Sequence, residues 1–122
     1  FTVTTSPTPV AFNASAFNDG AFDGTDTYTV PGTGRYYFSA SLDFGSGATS
    51  KITIQIYNST TTQVLAESTR YIDSNGESIT VQGVVQVSSG DTIQVRAMTA
   101  SGSKDTSASA PRANFFTGYR ID

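Results

Sequence analysis

Cysteine is absent from this sequence. That excludes a disulfide framework, a thiolate nucleophile and a thiolate metal site. Histidine is absent too. Its absence removes the Ser-His-Asp triad, the commonest zinc ligand and the usual general base near neutral pH. Charge is sparse: Asp, Glu, Lys and Arg make up 14% of the residues, and the net charge is −3 with no cluster of Lys or Arg. A nucleic-acid surface needs a basic patch, so that class is disfavoured. No apolar run approaches membrane-spanning length, and no signal-peptide pattern is visible. No window carries the 3.6-residue apolar period of an amphipathic helix. Small extracellular animal domains often carry disulfides, so their absence favours a bacterial or viral source.

What remains is rich in Thr, Ser, Val, Tyr and Phe, with Gly at short intervals. This is the composition of an all-β chain. Its 122 residues suit one domain with one core. The sequence opens at Phe1 rather than Met, which reads as a mature form or a fragment of something longer.

The strongest pattern is GRYYFSASLDF, residues 34–44. Tyr36, Phe38, Ala40, Leu42 and Phe44 alternate with Arg35, Tyr37, Ser39, Ser41 and Asp43, the period of a strand with one face on a core. Similar alternation predicts strands over 51–57, 78–87 and 92–98, a weaker one over 63–72, and a last one over 112–121. Residues 26–30 read as a short strand ended by Pro31-Gly32, and 11–17 as a short edge strand. Residues 1–10 contain Pro7 and Pro9 and read as a linker or a first short strand. Ser101 to Ala110 reads as a polar, mobile loop. Tyr36, Phe38, Ile54, Val81, Val95 and Ile121 are the expected core.

Eight to ten short strands at this spacing predict a two-sheet sandwich. The strands at 51–57 and 92–98 have polar outer faces. Those at 34–44, 78–87 and 112–121 carry apolar residues on both faces: Tyr37, the pair Val84-Val85 and the pair Phe115-Phe116. Two-sided strands belong in a sheet covered on both faces. One sheet is therefore expected to face water and the other a partner, with Tyr37, Val84, Phe115 and Phe116 as interface candidates.

Three stretches resemble the C1q-like family. They are FNDG (17–20) followed by YTVP (28–31) and GRYYF (34–38), then VSSGDTIQV (87–95), then NFFTGYRI (114–121). The resemblance covers about residues 11–122. It implies an antiparallel jelly roll shared with tumour-necrosis-factor-like cytokines, and a homotrimer with one sheet lining the threefold axis. No collagen-like Gly-x-y run is present. It further implies a non-enzymatic trimeric head of a longer phage or bacterial surface fibre, on a virion or otherwise extracellular. That head would attach to a host glycan or cell-surface receptor. The alternative is a capsid or tail decoration without its own ligand. A secreted ligand or a carbohydrate-binding module is a third reading.

Other candidates are weighed against plainer roles. Asp19, Asp23 and Asp26 share one loop that could offer oxygens to calcium, but the spacing is not that of an EF-hand and a tight turn explains them better. No other cofactor is implied. Tyr57, Tyr71 and Tyr119 are candidates for stacking on a sugar, against the commoner role of aromatics in cores and interfaces. Glu67, Asp73 and Glu77 are carboxylates with nothing to place two of them in one cleft. Asp91 reads as a turn cap. Asn13 and Asn58 stand in glycosylation sequons.

Overall fold

The structure is a computed structural model and describes residues 1–12, 21–47, 49–106 and 114–122. Ten strands occur among them: β1 (Thr2–Val3), β2 (Thr8–Pro9), β3 (Tyr28–Thr29), β4 (Gly34–Asp43), β5 (Ser50–Asn58), β6 (Gln63–Ile72), β7 (Ser78–Val87), β8 (Thr92–Thr99), β9 (Lys104–Asp105) and β10 (Phe115–Arg120). No described residue is helical. The three two-sided strands form one sheet, in the order β10-β4-β7. The second sheet runs β2-β8-β5-β6, with β3 also paired to β8. All pairings are antiparallel.

The core lies between these sheets. From β4 it takes Tyr36, Phe38, Ala40 and Leu42, and from β5 Ile52, Ile54 and Ile56. Ile79, Val81 and Val87 of β7, Ile93, Val95 and Ala97 of β8, and Phe116 of β10 join them, with Tyr28, Val30 and Ile72 among others. Aromatic rings make its centre. Tyr36 and Phe38, two residues apart on one face, lie nearly parallel with ring centres 5.8 Å apart. Tyr28 meets Phe38 edge-on at 5.7 Å. Such geometries stabilise beyond the area they bury. The Tyr36 hydroxyl donates to the Gly32 carbonyl at 2.8 Å, so its polar tip is satisfied.

Two expectations change. Ile121 is not in the core but 45% exposed. Phe116 points inward, so a period of two sends Phe115, Thr117, Tyr119 and Ile121 to the other side. The segment read as a mobile loop contains β9, which pairs with β1, and Thr106 donates to the Phe1 carbonyl. Residues 1–10 supply β1 and β2 and bury Val3 and Val10. The expected edge strand at 11–17 lies mostly outside the described residues.

Candidate functional site

The outer face of the three-stranded sheet follows from its register. Tyr37 stands between Tyr119 and Val84, Ser39 between Thr117 and Gln82, and Ser41 between Phe115 and Thr80. Tyr119 is 61% exposed and Val84 57%. Tyr37 and Phe115 are half-buried. The Tyr37 and Tyr119 rings lie 5.3 Å apart, and the Tyr37 hydroxyl donates to Gln82 Oε1 at 2.8 Å. Ile121 N donates to the Arg35 carbonyl, which carries the row on beyond Tyr119. The sheet thus presents a contiguous apolar stripe of Ile121, Tyr119, Tyr37 and Val84, with Phe115 on the same face beyond the polar row of Thr117, Ser39 and Gln82. Of the expected interface residues, Tyr37, Val84 and Phe115 share this face. Phe116 does not: it is fully buried among Phe12, Phe22 and Phe38. Adjacent residues of a strand face opposite ways, so only one of the pair can be outside. The same rule gives Val84 to the surface and Val85 to the core side. Tyr119 and Ile121 were missed as neighbours of Tyr37, and the period counted from Phe116 was the signal that places them.

Stripe geometry depends on close approach beneath it. Gly118 sits opposite Phe38. A Cβ there would come within 2.5 Å of the Phe38 ring and 2.7 Å of the Tyr37 carbonyl oxygen. The absent side chain leaves room for the Phe38 ring under β10. At the same end, Asp122 accepts from the backbone N–H and Nε of Arg35, each at 2.8 Å. Those bonds hold its carboxyl below the usual carboxylate range, the backbone N–H most of all.

The outer face of the second sheet is mostly polar and internally bonded, with Val64 and Tyr71 exposed on it. Gln55 donates to Glu67 at 2.9 Å and accepts from Arg96 at 3.1 Å. Thr53 bonds Thr69, and Gln94 donates to Thr27. The Arg96 guanidinium lies over the Tyr57 ring, 3.6 Å from its centre. One face of Tyr57 is therefore occupied by a cation. Tyr71 is exposed and pairs opposite Lys51, six residues from Tyr57 along β5, or about 20 Å at strand spacing. The structure does not bring the two tyrosines together.

Asp19 lies outside the described residues. Asp23 Oδ1 accepts from the N–H groups of Thr25, Asp26 and Thr27 at 2.8, 3.0 and 3.1 Å. The bonds from Thr25 and Thr27, and then Asp26, lower its pKa against a smaller upward push from burial. Asp26 accepts from the Thr27 hydroxyl. This is turn capping, and among the described residues no group of three acidic side chains is placed to share a metal. Glu67 is held by Gln55, Glu77 pairs with Arg70 at 2.8 Å, and Asp73 caps Asn75 N–H. These carboxylates have separate structural tasks. Asp91 accepts from Ser88 N–H, a cap as expected, and from Asn58 Nδ2 at 3.0 Å. Asn58 is only 3% exposed, so its sequon is closed to a glycan. Asn13 lies outside the described residues.

The sequence profile of the C1q domain matches residues 1–121. Crystal structures of murine APRIL have the same fold. The one at pH 5.0 superposes with a TM-score of 0.67 at 21% identity, over 96% of this chain and 92% of that one. The one at pH 8.5 gives 0.60 at 23% identity, over 84% and 75%. No curated protein matches the sequence.

Proposed function

The chain belongs to the C1q domain family, and from that premise we propose that it is a non-enzymatic homotrimeric head domain. It assembles through the outer face of the β10-β4-β7 sheet and attaches a longer extracellular or virion fibre to a glycan or receptor on a host surface. The observation that carries the reading is the contrast between the two outer faces. One is mostly polar, with Gln55, Glu67, Arg96, Gln94 and Thr27 bonded among themselves and its exposed Val64 and Tyr71 set far apart on β6. The other leaves Tyr119, Val84 and Ile121 exposed beside Tyr37. A contiguous apolar patch on a monomer marks an interaction surface. A closed cyclic assembly covers such a patch without leaving a free sticky one. Tyrosines suit the position, since the ring packs while the hydroxyl keeps a partner such as Gln82.

The test is the mass of the domain by light scattering. A trimer at micromolar concentration is expected, and a stable monomer overturns the reading. Tyr37→Asp would set like charges against one another in a dry interface, so it should dissociate the trimer or prevent folding. Thr69→Asp, on the exposed face of β6, should leave the mass unchanged.

A further inference from the structure

The Arg96 site is more ordered than a solvated strand face requires. Register places Glu67, Gln55 and Arg96 in one row across β6, β5 and β8, with Tyr57 diagonal to Arg96. Gln55 is 6% exposed and has both ends of its amide fixed: Nε2 to Glu67 and Oε1 to Arg96 Nη2. The amide thus helps hold the guanidinium over the Tyr57 ring. Arg96 is half-buried, and among the described residues it makes no ion pair and forms one hydrogen bond, to a neutral oxygen. Its Nε–H is shielded and without a partner. Desolvating a cation this far without an anion is costly. The end-on pair of N–H groups, one on Nη1 and the second on Nη2, is the fork that takes a carboxylate in two parallel bonds.

We infer that Arg96, set in place by Gln55, Glu67 and Tyr57, is the anchor of a binding site for a carboxylated sugar on the outer face of the five-stranded sheet. A sugar fits better than a polyanion. The chain has a net charge of −3, which repels a densely charged partner, whereas one carboxylate needs one arginine. Around Arg96 the face carries the hydroxyls and amides of Thr27, Thr53, Thr69 and Gln94, the kinds of group that bond sugar hydroxyls, while the Glu67 carboxylate is held by Gln55 at the far end of the row. Val64, 46% exposed beside Tyr57, offers an apolar edge. The site faces away from the assembly stripe, so a trimer would carry three of them outward. The inference names the ligand class for the attachment role proposed above and rests on that reading for its purpose, while its geometry is complete in one chain.

The experiment is a chemical-shift titration of the isotope-labelled domain with glucuronic acid, its methyl ester, glucose and N-acetyl-aspartate amide. Glucuronic acid should shift the signals of Tyr57, Gln55 Nε2 and Arg96, and the ester and glucose should bind at least about tenfold more weakly. Arg96→Gln should weaken glucuronic acid by a similar factor, and Arg96→Lys should recover only part of it, because an ammonium lacks the fork. Tyr71→Ala should change nothing. Absence of saturable shifts up to ~50 mM, far above a millimolar constant, overturns the inference. So does equal binding of the ester, of N-acetyl-aspartate amide, or by Arg96→Gln. Light scattering on the same samples separates the two proposals: a monomer that binds glucuronic acid keeps this site and loses the trimer, and a trimer that does not bind does the reverse.

Discussion

Phe38 shows how much one position can set. It touches Tyr28, Tyr36 and Phe116 and is wholly buried. Phe38→Ala should cost about 3–5 kcal/mol in denaturant unfolding, from lost transfer energy and an uncollapsed cavity. Gly118→Ala should also destabilise, for the opposite reason, by about 1–3 kcal/mol of overpacking against that ring. If β10 shifts outward instead, the stripe around Tyr37 will be disturbed and assembly will weaken with stability. Asp23 supplies a pH signature. Its carboxyl titrates lower when folded than in the unfolded chain. Between those two values the unfolded state holds more protons, so acidification through the carboxylate range removes the contribution and neutral pH keeps it. Asp23→Ala should flatten that part of the curve of denaturant midpoint against pH. Alternation made Phe38 legible in the sequence. It could not show Gly118 as its complement, because that needs the register of β10 on β4, a contact between residues 80 positions apart.

The long strands were readable because each buries one face, and a period of two survives any tertiary arrangement. Among the short ones, β3 fell within the strand read at 26–30, and the others were not readable as strands of their own. β1, β2 and β9 have two residues each, too few to show a period, and the polar Lys104–Asp105 strand exists because Thr2–Val3 lies beside it. The Arg96 site was hidden for a similar reason. Gln55, Glu67, Arg96 and Tyr57 come from three strands, and only pairing makes them a cluster. Loops are tied across elements as well. Asn58 ends β5, bonds Asp91 after β7 and caps the N–H groups of Thr60 and Thr61. Asn58→Ala should cost about 1–3 kcal/mol, since it strands buried polar groups. Asn58→Asp keeps the shape but sets two carboxylates face to face, and should cost more, increasingly so as pH rises from acid to neutral. Urea melts of both variants at two pH values would check the ordering.

Across the whole molecule, the grouping of β4, β7 and β10 in one sheet was legible from side-chain chemistry alone, while Phe116 and Ile121 lie on the opposite sides from those expected, because alternation along the strand decides which faces inward. The two ends of the sequence occupy opposite poles. Phe1 lies by Thr106, which bridges Phe44 past the end of β4, whereas Asp122 lies by Arg35 at its start. Tension applied between these poles would run along the strands. β10 would then be dragged lengthwise against β4, loading six paired residues at once. At the opposite pole the load meets β1 and β2, with two pairs apiece. Such a domain has a mechanical polarity. Stretched in an optical trap, it should first surrender a short length from the Phe1 side, while the sheet carrying Tyr37 and Tyr119 holds until the final rupture.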